Sequence, residues 1–348
     1  MAESEETGFT PKHGLIQSSY DKHSLIVCTS QTRFFLDKPE VIAVARLWPI
    51  YLQSLQKSFV VHELASLQAS GELASVAPRI RGMAASGESR VPAQLIEQLP
   101  ALEMISVFGV GYDGVDVAAA RARGIPVTNT PDVLTDDVAD LGLGLLLSVA
   151  RRIPQADSFV RAGQWPNGPF PLTRKLSGAR LGLVGMGRIG QAIAQRAQAF
   201  GMAIAYTARH ARVEVSYRYV ESLLELAGAV DFLLVITPGG AATRGLINAP
   251  VLAALGPDGY LVNVARGSVV DEAALVQAVT SGGIAGAALD VFEDEPRVPA
   301  ALREHPNVVL TPHMASGTWQ TRRAMAALAL ANLQAHFAGQ SLLTPVAT

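Results

Sequence analysis

From Ser24 onward, short apolar runs alternate with stretches whose apolar residues recur at helical spacing, the pattern of strands joined by crossover helices in a parallel sheet. One series predicts strands at "SLIVCT" (Ser24 to Thr29), "SFVVHEL" (Ser58 to Leu64), "IRGMAA" (Ile80 to Ala85), "MISVFG" (Met104 to Gly109) and "IPVTNT" (Ile125 to Thr130). A helical pattern follows from Asp136 to Arg152, then a loop marked by "GQWPNGPFP" (Gly163 to Pro171). A second series predicts strands at "RLGLVG" from Arg180, "AIAYT" (Ala203 to Thr207), "DFLLVIT" (Asp231 to Thr237), "YLVNVA" (Tyr260 to Ala265), "IAGAALDV" (Ile284 to Val291) and "NVVLTP" (Asn307 to Pro312). An alanine-rich helix from Thr318 to Phe337 closes the pattern, and no internal repeat at a fixed period is seen. The expected class is α/β with parallel sheets.

The second series opens on "LVGMGRIGQ" (Leu183 to Gln191), where an apolar strand meets a helical pattern at three glycines. That context suits a dinucleotide turn: Gly185 for the tight bend, Gly187 for close approach of backbone N–H groups to a pyrophosphate, Gly190 for strand–helix packing. An ordinary glycine-rich corner is the competing reading. About twenty residues further on, an Asp or Glu usually meets a free ribose hydroxyl. The stretch "AYTARHAR" carries no carboxylate; Thr207 stands in that place, with Arg209 and Arg212 after it. Those guanidinium groups suit a 2′-phosphate, or else they are solvated loop residues. NADP is the expected cofactor, with NAD retained as the alternative.

Length changes the picture by pointing to two domains, since 348 residues exceed what one core usually organises. Lys+Arg 28 against Asp+Glu 30 leaves no basic footprint for nucleic acid or an anionic membrane surface. The one cysteine, Cys28, makes no internal disulfide, which suits a reducing, cytoplasmic compartment. The apolar run Leu141 to Ala150 is too short to span a bilayer. Residues 1–23 are polar and acidic without the apolar centre of a signal peptide, and read as a mobile tail.

Candidate chemistry follows three of the predicted strands: "VNVARGSVVDE" carries Arg266, "LDVFEDEP" carries Asp290 and Glu295, and "LTPHMASGT" carries His313. Strand C-termini of an open parallel sheet converge on the ligand crevice, so these residues are able to meet despite their separation. A guanidinium holds a carboxylate through a fork of donors, and an imidazole kept protonated by a neighbouring carboxylate donates a proton. Singly, Arg266 also reads as a turn residue, Glu295 as part of an acidic loop and His313 as a structural histidine. His13, His23, His62, His210, His305 and His336 show no such company in the sequence. The stretches "RLWPIYLQ" (Arg46 to Gln53) and "SGESR" (Ser86 to Arg90), with Trp319, are expected to set the shape of the pocket, and Trp48, Tyr51 and Trp319 read either as its aromatic wall or as packing.

The motifs "FGVGYDGVD", "GIPVTNTPDVLTDDVADLGLGLLL", "GLVGMGRIG", "VNVARGSVVDE", "AALDVFEDEP" and "NVVLTPHMASGTWQTR", in this order, resemble the D-isomer-specific 2-hydroxyacid dehydrogenases, and within them the hydroxypyruvate, glyoxylate and hydroxyphenylpyruvate reductases. The likeness runs from about Ser24 to the C-terminus. It implies two Rossmann-like domains with an active-site cleft between them: a substrate domain of residues 1–131, a dinucleotide-binding domain of residues 132–316, and a return of residues 317–348 to the first. It implies NAD(P)H-dependent reduction of a small 2-oxo acid and a homodimer. By resemblance His313 is the acid–base residue, Glu295 its partner and Arg266 the carboxylate anchor, assisted by backbone N–H groups of Val110 and Gly111. Arg188 and Ile189 offer backbone donors to the pyrophosphate, Thr237 and Pro238 line the adenosine side, and Asp290 meets the nicotinamide carboxamide. No metal is implied. Departures are Thr207 and the "PGGAATRGLI" loop, where Gly239 and Gly240 replace polar residues. Nucleotide-sensing corepressors share this fold and residue set, so a binding scaffold stays as the alternative.

Overall fold

The computed structural model describes residues 38–346. The tail 1–23, the expected strand at Ser24 to Thr29 and Cys28 lie outside the described residues. The first described sheet is built from β1 (Glu40–Ala43), β2 (Val60–Glu63), β3 (Ile80–Ser86), β4 (Met104–Phe108) and β5 (Val127–Thr128), in the order β2-β1-β3-β4-β5. All its pairings are parallel. The apolar pattern does not single out β1, because "EVIA" is a four-residue run directly behind Pro39 and too short for a period to register.

The second sheet holds β6 (Arg180–Val184), β7 (Ala203–Thr207), β8 (Arg218–Tyr219), β9 (Phe232–Val235), β10 (Tyr260–Asn263), β11 (Gly286–Leu289) and β12 (Val308–Leu310). Its order, β12-β11-β10-β9-β6-β7-β8, is again fully parallel. Both are doubly wound Rossmann-like sheets, with strand order reversing between β1 and β3 in one and between β6 and β9 in the other. The strands are near-continuous apolar runs because both faces are covered; every residue of β4, β9 and β11 is buried.

The helix Thr135–Arg151 buries Val138, Leu143, Leu145, Leu146 and Val149 and packs on the second sheet. The final helix, Trp319–Phe337, starts where the Thr318 hydroxyl accepts the Thr321 N–H at 3.2 Å, a regular N-cap. It lies on the first sheet, where the Ser106 hydroxyl donates to the Ala329 carbonyl at 3.0 Å. Val346 N–H then donates to the Val127 carbonyl at 2.8 Å. Among the described residues no helix is long and apolar enough to cross a membrane.

Candidate active site

β6 ends at Val184 and the chain turns through Gly185 and Gly187 into the helix Arg188–Gln198. Gly185 has φ +113, and a Cβ there would press on the Ile236 carbonyl oxygen at 2.7 Å; a Cβ on Gly190 would come within 2.5 Å of the Gly185 carbonyl oxygen. The turn itself therefore requires these two glycines. Gly187 differs: beyond its own chain neighbours, nothing in the protein lies within 4 Å of the place its Cβ would take. That open space borders the first turn of the helix, whose leading N–H groups at Arg188 and Ile189 have no intrahelical acceptor. A diphosphate fits such a surface, with the positive helix end toward it. The Arg188 guanidinium pairs with Asp132 at 2.9 Å.

At the end of β7, Thr207 is buried, its hydroxyl donating to the Glu221 carbonyl at 3.3 Å while its own carbonyl accepts the Gly185 N–H at 2.9 Å. Arg209 and Arg212 are exposed just beyond it. The Arg212 N–H donates to the Tyr206 hydroxyl at 2.6 Å, which fixes that loop. Thr237 and Pro238 follow β9, the latter's carbonyl accepting from the Thr243 hydroxyl at 2.7 Å.

Arg266 follows β10, its backbone carbonyl held by Asn263 Nδ2 at 3.0 Å. Its Nε donates to Asp113 Oδ1 at 3.2 Å and its Nη1 to the Ala265 carbonyl at 2.8 Å. The Nη2 end lies so close to Gly111 that any side chain there would run into it. Among the described residues, the N–H groups of Val110 and Gly111 donate to no acceptor. Asn129 Nδ2 holds the Val110 carbonyl at 2.8 Å, so guanidinium and free amides meet at one fixed place. Gly239, flagged as a departure, has a physical reason: a Cβ would stand 2.8 Å from both Arg266 Cγ and Asp113 Oδ2.

His313 has φ +48, a left-handed conformation costing an L-residue about 1–2 kcal/mol. Asp290 holds it there. The His313 N–H donates to the Asp290 carbonyl at 2.8 Å, and the Asp290 carboxylate accepts from the Thr311 hydroxyl at 2.6 Å, Met314 N–H at 2.9 Å and Ala315 N–H at 3.0 Å. Burial raises the Asp290 pKa against those three bonds. His313 Nδ1 meets Glu295 Oε2 at 2.7 Å, and Glu295 Oε1 accepts the Phe292 N–H at 3.0 Å. Burial opposes the charged imidazole, but the hydrogen bond and charge of Glu295, with Glu88 adding to them, prevail and raise the His313 pKa. Burial likewise opposes ionised Glu295, yet its bonds to His313 and Phe292 lower its pKa. With Nδ1 turned to Glu295, Nε2 is the nitrogen left to exchange a proton.

Several functional neighbours are placed only by the fold. Asp113 lies inside a quoted motif, but its bond to Arg266 spans 153 positions. Glu88 brings Oε1 to 3.5 Å of His313 Nδ1. Of the three candidate pocket aromatics, Tyr51 is fully buried and stacked on Phe108 at 5.2 Å between ring centres, so it belongs to the core. Trp48 and Trp319 rings stand 5.9 Å apart, with Trp319 exposed. His62 and His336, without company in the sequence, pair with Glu40 at 2.7 Å and Glu103 at 3.2 Å.

A glycine turn open to a diphosphate, a guanidinium beside free backbone donors and a carboxylate-backed imidazole define a nicotinamide-dependent oxidoreductase built on two α/β lobes. Residues 143–315 match the family model for the D-isomer specific 2-hydroxyacid dehydrogenase NAD binding domain. The chain is 46% identical to a 2-ketogluconate reductase of Gluconobacter oxydans over 89% of its length and 99% of the relative's. It is 48% identical to a hydroxyphenylpyruvate reductase of Plectranthus scutellarioides over 88% and 99%. A crystal structure of an NADPH-dependent glyoxylate/hydroxypyruvate reductase from Sinorhizobium meliloti, in complex with NADP and malonate, matches with TM-score 0.85 and 49% identity over 89% of this chain and 97% of that one. The chain belongs to the D-isomer specific 2-hydroxyacid dehydrogenase family, and it is an NAD(P)-dependent oxidoreductase of 2-oxo and 2-hydroxy acids. The corepressor-like alternative gains no support from these comparisons.

Proposed function

We propose that this enzyme reduces a small 2-oxo acid to the D-2-hydroxy acid at Arg266, Glu295 and His313, with NADPH preferred to NADH. Arg266 and the N–H groups of Val110 and Gly111 hold the substrate carboxylate, and Asp113 fixes the guanidinium from behind. When bound, the reduced nicotinamide supplies the hydride for the carbonyl carbon. His313 delivers the proton from Nε2 to the carbonyl oxygen, and Glu295 keeps the ring charged and oriented until it does. Asp290 accepts three bonds of about four that a carboxylate can take, which leaves one direction for the nicotinamide carboxamide. Gly185, Gly187, Gly190, Arg188 and Ile189 form the diphosphate seat, Thr237 and Pro238 border the adenosine, and Thr207 makes room for Arg209 and Arg212 at a 2′-phosphate. In this reading residues 132–316 carry the dinucleotide, and residues up to 131 with those from 317 onward shape the substrate side.

The observation that carries the reading is the imidazole–carboxylate bond of 2.7 Å between His313 and Glu295. Two-fold pairing is supported by Ile153, Val160, Trp165 and Leu172, large apolar residues all exposed within one stretch of chain. The lone cysteine agrees with a cytoplasmic place. The test is cofactor oxidation with glyoxylate, hydroxypyruvate, hydroxyphenylpyruvate, 2-ketogluconate and pyruvate in parallel, with KM measured for both cofactors. NADPH is expected to show a KM lower by about tenfold or more, the scale of charge-assisted bonds to a phosphate. A preference for NADH would remove the roles given to Arg209 and Arg212.

A further inference from the structure

Among the described residues, His62, His313 and His336 each meet a carboxylate, and two of those carboxylates are shared with a guanidinium. Glu40 takes His62 at 2.7 Å and Arg79 at 2.7 Å, while Glu103 takes His336 at 3.2 Å and Arg81 at 2.6 Å. An arginine so placed repels a metal cation. The third pair, His313 with Glu295, is joined instead by a second carboxylate. Glu88 Oε1 lies 3.5 Å from the same Nδ1 that Glu295 Oε2 approaches at 2.7 Å, and one ligand atom from each of the three residues falls within 4.8 Å of the others. Arg266, whose charge also reaches His313, is balanced by Asp113 at 3.2 Å.

Zinc sits about 2.0–2.1 Å from imidazole nitrogens and carboxylate oxygens, so a tetrahedral arrangement sets neighbouring ligand atoms roughly 3.3 Å apart. The two distances from Nδ1 lie either side of that value. Each ligand is also held from behind, as metal ligands are. Glu295 Oε1 accepts the Phe292 N–H at 3.0 Å, and the His313 N–H donates to the Asp290 carbonyl at 2.8 Å. The loop bearing Glu88 is pinned by Ser86 N–H to Ser89 Oγ at 2.7 Å and by Gly87 N–H to the Phe108 carbonyl at 3.2 Å. With 63% of the Glu88 side chain exposed, an ion has a path in and a water has room as fourth ligand.

We propose that Glu88, Glu295 and His313 form an inhibitory site for a borderline divalent cation, zinc above all, which bridges loops of the two sheets and disables the acid. Zinc takes the Nδ1 lone pair, the proton there passes to solvent, and Glu295 Oε2 turns from that proton to the metal. The ring then keeps one proton, on Nε2, and giving it up would leave an imidazolate, so reduction stops. This effect on turnover rests on the role of His313 in the proposed function; the binding does not. Two carboxylates with one imidazole suit zinc, whereas magnesium asks for six oxygens.

The experiment titrates zinc chloride into full-length, cofactor-free enzyme by calorimetry, with Glu88→Gln and Glu88→His alongside, and follows glyoxylate reduction over the same zinc range. Each activity is scaled to that protein without zinc, so any effect of residue 88 on turnover itself cancels. Glu88→Gln is expected to bind zinc about tenfold or more weakly, and Glu88→His, which restores a ligand, more tightly than Glu88→Gln. Zinc should inhibit the unaltered enzyme over the range in which it binds, a chelator should reverse this, and magnesium should do neither. Equal zinc binding by the unaltered enzyme and Glu88→Gln, or full turnover with the site filled, overturns the inference alone. Zinc bound through Glu88 in a protein that reduces no 2-oxo acid upholds the site and overturns the proposed function.

Discussion

Gly187 and Gly190 lie three residues apart in one turn, yet replacing each with alanine should damage different properties. At Gly190 the added Cβ would stand 2.5 Å from the Gly185 carbonyl oxygen, which is backbone and cannot swing aside. Strand and helix must then separate by several tenths of an ångström, the kind of overpacking that destabilises by about 1–3 kcal/mol. For a chain of this size that amounts to a fall in Tm of a few degrees. At Gly187 the backbone has φ −81 and the Cβ meets nothing within 4 Å, so the fold should change by no more than about 1 kcal/mol. The methyl group instead occupies the space where a diphosphate approaches the helix N-terminus. Loss of even one charge-assisted backbone bond there corresponds to about 1.5–3 kcal/mol, or roughly tenfold to a hundredfold weaker cofactor binding. Thermal unfolding without cofactor and fluorescence titration with NADPH separate the two effects. If Gly187→Ala bound NADPH as tightly as the unaltered enzyme, the turn would not be the diphosphate seat, and the dinucleotide reading of this surface would be wrong.

The remaining expectations concern the reacting groups. His313→Gln should lower kcat by roughly a hundredfold or more while NADPH binding persists, and full turnover in the variant would end the proton-donor role. Glu295→Gln keeps an acceptor for Nδ1–H but removes the charge that helps raise the His313 pKa. Because reduction needs imidazolium, kcat/KM falls as pH rises through that pKa, and the variant should lose activity at a lower pH; an unmoved pH profile would contradict the coupling. The same raised pKa means that the pair's contribution to stability is fully present below the unfolded histidine value and fades as pH rises through the folded one, so the stability advantage over Glu295→Gln should shrink in mildly alkaline buffer. Arg266→Lys should raise the KM for the oxo acid by about tenfold or more, since an ammonium does not reproduce a fork of donors, and an unchanged KM would exclude carboxylate clamping.

What the sequence discloses and what it hides follow the range of the interaction responsible. The turn at Gly185 to Gly190 and the strands around it are readable because strand, glycine spacing and helix period are all local. Strand β7 appears with the bounds expected of it, Ala203–Thr207. Strand β1 is missed because four residues carry too little period to stand out. Arg266, Glu295 and His313 stand out because each follows a strong strand, where parallel sheets place their chemistry. Gly239 reads as a departure until its crowding by Arg266 and Asp113 is known, and that contact joins distant segments. Glu88 sits in the polar loop Ser86 to Arg90, and only the fold brings it within 3.5 Å of His313. Tyr51 is a plausible pocket aromatic by residue type, yet Phe108 and the core claim it.

The central claim is that one cleft joins a nicotinamide to a clamped 2-oxo acid and a protonated His313. It is tested most directly by turnover of hydroxypyruvate with NADPH deuterated on the transferring face, followed by chiral and isotopic analysis of the product. The expected product is the D-hydroxy acid labelled at its second carbon, formed by the unaltered enzyme and nearly absent with His313→Gln. An unlabelled or L-configured product, or equal turnover by both proteins, would contradict it.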